Sequence, residues 1–282
     1  MNVIKGKSYP PARIVVFGPP GVGKSSFACG APDTIALDYE SGLSEIGVDR
    51  VRGPATWAAS LALVRELCEA DHAYRTIVID TIDRLEDQAT EDVCKAGKKA
   101  SLADFGYGDG YEAVAARWRE ILFALESARA RGREVVLVAH VQQKIQDDPM
   151  LGKYDKLVAA LGKRCWSATH RWADAVLFAQ YEAGLIEGRA IMTGSRVLYT
   201  SAATGFDAKN RWGLPRVLPL SWESFDAARK SLCRSASDII QSIRALETPE
   251  TKDLAEKYIV EANGDVPRLV AVETSLRKKV TA

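Results

Sequence analysis

Residues 18–25 read Gly18-Pro19-Pro20-Gly21-Val22-Gly23-Lys24-Ser25, which matches the pattern G-x-x-x-x-G-K-[ST] of a phosphate-binding loop. The apolar run Arg13 to Phe17 precedes the loop and predicts a strand, and Ser26-Phe27-Ala28 begins a plausible helix. In such a loop the backbone N–H groups surround phosphates, the Lys24 ammonium reaches the β and γ oxygens, and the Ser25 hydroxyl holds Mg²⁺. The stretch therefore predicts an ATP and Mg²⁺ site formed by residues 18–26.

Apolar runs and helical patterns alternate over about the first 180 residues. The strand-like runs are residues 34–37, 76–79, 134–139 and 175–178. The helical patterns, with apolar side chains at three-and-four spacing, are residues 57–68, 85–94 and 111–129. This alternation predicts an α/β fold in which a mainly parallel, twisted sheet carries helices on both faces.

The pattern changes after Arg189. Ala190 to Thr193 and Arg196 to Tyr199 flank Gly194-Ser195, which is a two-residue hairpin signal and predicts a β-hairpin at the sheet edge. Further helices are predicted over residues 236–246, 249–261 and 266–280, with Pro249 in a first turn. We therefore expect an α/β core over residues 1–228 and a small helical C-terminal appendage over residues 229–282.

Composition narrows the class of protein. The 282 residues are 47% hydrophobic and 27% charged, and they contain no apolar run of the roughly 20 residues that cross a bilayer. We expect a cytoplasmic protein without a membrane partner. The five cysteines lie far apart in sequence, which indicates reduced thiols. Because the formal net charge is +1, any affinity for nucleic acid must come from a local patch.

An aspartate ends the strand at residues 76–79. Asp80 stands where a carboxylate orients a Mg²⁺-bound water beside the phosphate loop. An aspartate after a strand is also a common helix cap or turn residue. Its place one strand–helix unit beyond the loop favours the Mg²⁺ role, whereas Thr81 and Asp83 are interpreted as local caps.

The order of these motifs resembles the RecA family of P-loop ATPases. In that family the strand after the P-loop helix ends in an acidic pair whose glutamate activates the attacking water, and Leu37-Asp38-Tyr39-Glu40 is similar to that element. The resemblance implies that Glu40 is the general base. Without it, Glu40 would also fit a solvated loop position.

The strand at residues 134–139 runs into His140, where RecA-like proteins carry a polar residue, usually glutamine, that senses the γ-phosphate. A neutral imidazole donates one hydrogen bond much as an amide does, so His140 is feasible in this role. Gln142 lies two residues further on, on the same side of an extended strand, and is the alternative sensor.

Residues 208–215 resemble an element that follows a hairpin in RecA-like recombinases and DnaB-type helicases. There, two cations reach the ATP of the neighbouring subunit. Lys209 and Arg211 lie two residues apart, so on an extended segment they share one face and can contact phosphate oxygens together. The resemblance implies a catalytic site completed only in a ring or filament; the alternative is a solvated basic loop.

Two stretches are predicted as long loops, residues 95–110 and 142–171, and they take the places of the DNA-binding loops of the RecA family. The second carries six cations against three aspartates, and Tyr154 and Trp166 offer aromatic faces for stacking on bases. Aromatic and basic residues also mix on ordinary surfaces. The residues assigned to single-stranded DNA are Lys98, Lys99, Lys153, Tyr154, Lys156, Lys163, Arg164 and Arg171.

The size of the chain and its short helical tail resemble the phage RecA-like ATPases classed as single-strand annealing proteins. The resemblance implies ATP-dependent binding of single-stranded DNA in phage recombination, in the cytoplasm of a host bacterium, with a single-strand DNA-binding protein as a further partner. A hexameric helicase motor shares the nucleotide motifs but would normally carry an N-terminal linker or domain. A small-molecule kinase shares the P-loop but would need an arginine-rich lid.

Overall fold

The computed structural model describes residues 10–186, 189–233, 236–246, 248 and 251–280. Within these residues the strands are β1 (Arg13–Gly18), β2 (Thr34–Asp38), β3 (Asp49–Arg52), β4 (Thr76–Asp80), β5 (Glu134–Asp148), β6 (Gly152–Ala159), β7 (Ala175–Ile186), β8 (Arg189–Tyr199), β9 (Lys209–Asn210) and β10 (Val217–Pro219). The helices are α1 (Lys24–Cys29), α2 (Trp57–Glu69), α3 (Ile82–Gly97), α4 (Asp109–Ala130), α5 (Lys163–Trp172), α6 (Trp222–Cys233), α7 (Ala236–Ala245), α8 (Lys252–Ala262) and α9 (Val266–Val280).

The sheet is parallel through its centre and antiparallel at one side. Its strands pair in the order β10-β8-β7-β1-β5-β4-β2-β3, with β6 added to β5 and β9 to β7. All pairs from β7 through β1 to β3 are parallel, whereas β8 and β10 run antiparallel to their neighbours. The predicted α/β class with a mainly parallel sheet is therefore confirmed.

The central strands are buried on both faces, which is why they read as nearly continuous apolar runs. Val15 and Phe17 of β1 join the large core cluster formed with α2, α3, α4 and α5. Ile14 and Val16 are fully buried as well and point to the other face of the sheet. That alternation places helices on both sides, as predicted, with α1 packing against β1 and β5.

The edge hairpin exists, but its predicted turn was wrong. The hairpin consists of β7 and β8, which pair along their length. Gly194 and Ser195 lie inside β8, beside a register irregularity between Tyr181 and Ala183, and not at a turn. The glycine that indicated a turn in the sequence therefore marks an irregularity within a strand.

The prediction of a long loop over residues 142–171 was also wrong. β5 continues to Asp148 and pairs with β6 in an antiparallel ladder from Val141↔Ala159 to Asp148↔Gly152. Helix α5 follows. We call residues 141–159 the β5–β6 hairpin. Of the stretch 95–110, residues 98–108 form a connection between α3 and α4, which contains two short 3-10 turns at Leu102–Asp104 and Gly106–Gly108.

Two compact units make up the chain. The first contains the described residues up to Asn210 together with Arg216–Glu223, and the second contains Arg211–Pro215 and Ser224–Ala282. The second unit has its own core, which includes Ile239, Ile243 and Leu269. The predicted C-terminal helices are thus present, while Pro249 lies outside the described residues. The boundary after residue 228 stays a prediction. Among the described residues, no helix combines the length and apolarity that a membrane crossing needs.

Candidate functional site

The loop between β1 and α1 is held together by hydrogen bonds from Lys24 to its own backbone. Gly23 precedes α1 with a φ of 106°, a conformation that strains any residue with a Cβ atom. This explains the glycine before Lys24. The Lys24 ammonium donates hydrogen bonds to the carbonyls of Gly18 and Pro19, each at 3.0 Å, and its side chain is buried. The loop therefore concentrates a buried positive charge at the end of β1.

Three carboxylates act on this cation through their charge. Burial lowers the pKa of Lys24, and the negative charges of Asp80, Asp83 and Glu40 raise it part of the way back. For Asp80, burial raises the pKa, while a hydrogen bond from the Ser25 hydroxyl lowers it. The charged forms of Lys24 and Asp80 are thus stabilised in this buried site by neighbours of opposite charge and by hydrogen bonds.

Sheet register explains why distant residues meet here. β1 pairs with β5 so that Gly18 lies opposite His140, and β2 pairs with β4 so that Asp38 lies opposite Asp80. In a parallel sheet all carboxyl ends reach one edge, where ligands of such folds bind. The motifs found along the sequence are therefore brought together at this edge.

Glu40, Asp83 and His140 form a cluster beside the phosphate loop. His140 Nδ1 lies 2.9 Å from Asp83 Oδ2 and 3.7 Å from Glu40 Oε1. The Thr81 hydroxyl donates to Glu40 Oε1 at 3.2 Å. The three ligand atoms lie within 4.8 Å of one another, close enough to share one cation. The predicted base and the predicted sensor are thus neighbours.

A comparison with protein families shows to which family the chain belongs. Residues 10–212 match the profile of AAA_24, described as an AAA domain. The chain belongs to this family. The comparison with curated proteins finds no match. Among solved structures, the crystal structure of the RadB recombinase is similar at 13% identity and a TM-score of 0.45, over 76% of this chain and 90% of that one.

The alternative sensor of this AAA domain points elsewhere. The side-chain amide of Gln142 donates to the carbonyls of Ala159 and Leu161, both at 2.8 Å, and so ties β5 to the end of β6. His140, by contrast, lies within 4 Å of the carboxylates of Asp83 and Glu40. Of the two candidates, the structure brings His140 to the phosphate loop.

Two residues beside the phosphate loop were missed by sequence reasoning. The Tyr181 hydroxyl donates to the Gly21 carbonyl at 3.0 Å, and a Cβ atom at Gly23 would lie 3.0 Å from an Arg196 guanidinium nitrogen. Tyr181 and Arg196 are paired across β7 and β8. The misplaced hairpin turn hid this pairing, which was the signal that could have found them.

The predicted pair Lys209 and Arg211 divides between the two units. The Lys209 ammonium donates to the carbonyls of His170 at 2.6 Å and Ala173 at 2.8 Å, and so caps the last turn of α5. Arg211 is exposed and belongs to the second unit. The contact with a neighbour's nucleotide stays a prediction, and Lys209 has a structural role beside it.

A basic groove lies between the β5–β6 hairpin and α5, with a volume of about 830 Å³. Its cationic lining residues are Lys144, Lys156, Lys163 and Arg171. Asp147 and Asp207 line it as well, and Lys156 lies 3.8 Å from an Asp207 oxygen. The groove therefore carries a positive excess that two acids reduce.

The other residues assigned to DNA lie around this region or apart from it. Lys153 and Tyr154 are on β6, and Arg164 binds the Gly108 carbonyl at 2.9 Å. Lys98 and Lys99 are exposed just beyond α3. The stacking predicted for Trp166 was wrong, because its ring is buried against Phe17 in the core.

Proposed function

We propose that this AAA domain is an ATP-dependent, single-stranded DNA-binding ATPase of phage recombination, of the annealing type. One observation carries the proposal: strand β5 serves both regions, with His140 beside the phosphate loop and Lys144 in the basic groove. Four residues of strand span about 13 Å. The proposed nucleotide site and the proposed polyanion site thus share one strand.

ATP binding is assigned to the loop of residues 18–26. Lys24 exchanges its bonds to the Gly18 and Pro19 carbonyls for phosphate oxygens, which offer a stronger, charged acceptor. Ser25 and Asp80 fit Mg²⁺, since their hydrogen-bonded oxygens are the donor type that this ion prefers. Ser25 would hold the ion directly and Asp80 through a water. Bound Mg²⁺ would neutralise charge on the phosphates.

Hydrolysis is assigned to the cluster at the ends of β2 and β5. Glu40 accepts the proton of the attacking water, and the Thr81 hydroxyl orients its carboxylate. His140 senses the γ-phosphate from the neighbouring strand. Arg211, with Lys209, reaches the nucleotide of an adjacent subunit in a ring or filament, so that the site is completed where subunits meet.

DNA binding is assigned to the basic groove and the β5–β6 hairpin. Lys156, Lys163 and Arg171 follow the phosphates, and Tyr154 on β6 offers a ring for stacking on bases. Such binding tolerates any sequence and weakens with salt. A single-strand DNA-binding protein is a further expected partner, and the proposed setting is the cytoplasm of a host bacterium.

The test measures ATP hydrolysis with and without a single-stranded oligonucleotide. We expect stimulation by the oligonucleotide, and no activity in Lys24→Ala, because the loop loses its cation on the β and γ phosphates. The double variant Lys163→Glu, Arg171→Glu should bind the oligonucleotide at least about tenfold more weakly, since each lost phosphate contact removes counterion release. Arg65→Glu, on the exposed face of α2, is the matched control.

Three results would contradict the proposal. Full activity in Lys24→Ala would remove the nucleotide site from residues 18–26. Hydrolysis that depends on Lys24 but ignores the oligonucleotide would leave an ATPase without a DNA role. Processive unwinding of a forked duplex would instead identify a helicase motor.

A further inference from the structure

The first two turns of α3 carry two carboxylates on one face. α3 begins at Ile82, two residues after Asp80, and Asp83 and Glu86 follow three residues apart. Residues at this spacing are neighbours on a helix surface. Both side chains accept hydrogen bonds from residues outside α3. These partners show which segment the two carboxylates hold in place.

Asp83 holds the point where the β5–β6 hairpin leaves the sheet. Its Oδ1 accepts a hydrogen bond from the His140 backbone N–H at 3.1 Å, and its Oδ2 lies 2.9 Å from the His140 ring Nδ1. The His140 carbonyl in turn accepts from the Ala160 N–H at 2.8 Å. One carboxylate therefore fixes both the backbone and the ring of this residue.

Glu86 holds the point where the hairpin returns. Both of its oxygens accept from the Gly162 backbone N–H, at 2.8 and 3.1 Å, directly before α5. A Cβ atom at Gly162 would lie 2.9 Å from Glu86 Oε1, so glycine is what allows this approach. Burial raises the pKa of Glu86, and hydrogen bonds from Cys165 and Gly162 lower it.

The two ends are also tied to each other. The Leu161 carbonyl, next to Gly162, accepts from the Gln142 amide at 2.8 Å and from the Lys144 ammonium at 3.0 Å. These hydrogen bonds thus join three segments: the start of the outer half of β5, the end of β6 and the start of α5. The basic groove, with Lys144 and Lys163 in its lining, is built on these joined segments.

We infer that Asp83 and Glu86 are positioning residues that clamp both ends of the β5–β6 hairpin to the helix following Asp80, so that nucleotide at the phosphate loop sets the arrangement of the basic groove. This inference rests on the proposed function for its nucleotide. His140 and Glu40 face that nucleotide, and Asp83 links His140 to α3. By thermodynamic linkage, a ligand bound in the groove changes the affinity for nucleotide by the same factor by which bound nucleotide changes the affinity for that ligand.

The test measures amide hydrogen exchange with and without a non-hydrolysable ATP analogue. In the native protein the analogue should slow exchange in peptides of the phosphate loop and of residues 141–162. In Glu86→Ala the slowing at the phosphate loop should persist, and the slowing at residues 141–162 should be lost, because no side-chain oxygen remains to accept from the Gly162 N–H. Gly162→Ala should behave alike, because its Cβ displaces the Glu86 carboxylate. Glu91→Ala is the matched control, an exposed glutamate on α3 that faces Lys95.

Each outcome bears on the clamp. The clamp is overturned if the analogue slows exchange at residues 141–162 equally in Glu86→Ala, or if it never does so in the native protein while protecting the phosphate loop. Absence of protection at the phosphate loop itself would overturn the proposed nucleotide site, and the inference with it. A thermal melt of each variant identifies any that fails to fold.

Discussion

Glu40 is held in place by neighbours on two other elements. Its Oε1 accepts a hydrogen bond from Thr81 and lies 3.7 Å from both Arg84 Nε and His140 Nδ1. These contacts come from the start of α3 and the end of the buried part of β5. A carboxylate oriented in this way loses little further freedom when a water binds to it, as a general base requires.

Replacing Glu40 by glutamine should keep ATP affinity and lower turnover roughly 10²-fold or more, because the amide retains size and hydrogen bonding but cannot take a proton. Equilibrium nucleotide binding and single-turnover hydrolysis measure the two quantities separately. Glu45→Gln, an exposed glutamate of the same connection, is the control. Weaker ATP binding with unchanged turnover per bound ATP would make Glu40 a structural residue.

The elements that the sequence predicted well are those buried on both faces. β1, β4 and the inner half of β5 read as apolar runs, and their ends located Asp80 and His140. Most residues of the outer half of β5 and of β6 are exposed or only half-buried, so burial imposes no clear apolar pattern there, and the segment resembled a loop. β3 was not predicted for the same reason, because all four of its residues are exposed.

A charged pair fastens β1 to β7 at their amino ends. The Arg13 guanidinium donates to both Asp174 oxygens, at 2.8 and 3.1 Å, and the Arg13 backbone N–H donates to one of them. Burial alone would raise the pKa of Asp174, but the hydrogen bonds and charge of Arg13 hold it below its usual range. The ionised form is therefore favoured by folding, and its stabilisation is present at neutral pH.

Asp174→Asn should lower the free energy of unfolding by about 1–3 kcal/mol at pH 7, because Arg13 loses a charged acceptor. The difference should shrink as the pH falls below about 4 and through the lowered pKa of Asp174, where the native carboxyl group also becomes neutral. Urea unfolding at pH 7 and pH 3 measures this. Glu126→Gln, at the more exposed partner of Arg13, should cost less. An equal cost for Asp174→Asn at both pH values would show that charge is not involved.

At the scale of the molecule, the residues around the phosphate loop come from segments far apart in the sequence, which no local pattern connects. Tyr181 and Arg196 reach it from the antiparallel edge of the sheet, more than 150 residues beyond Gly21. Sequence motifs locate the residues that contact phosphate because that chemistry fixes their spacing. Supporting residues such as these, Asp83 and Glu86 are fixed only by tertiary pairing, so no spacing along the chain identifies them.

The shared-site prediction is best tested at Arg211 alone. Lys209→Ala would also remove the cap of α5, whereas Arg211 lies in the second unit and is exposed. Arg211→Ala should keep ATP binding and lose on the order of 10³-fold or more in DNA-stimulated hydrolysis, the range of arginine fingers. Mixed with Lys24→Ala protein it should regain activity, since each variant then supplies the half-site that the other lacks. Arg216→Ala, at an exposed arginine five residues further along the chain, should stay active by itself. Normal hydrolysis by Arg211→Ala alone would show that each subunit completes its own site.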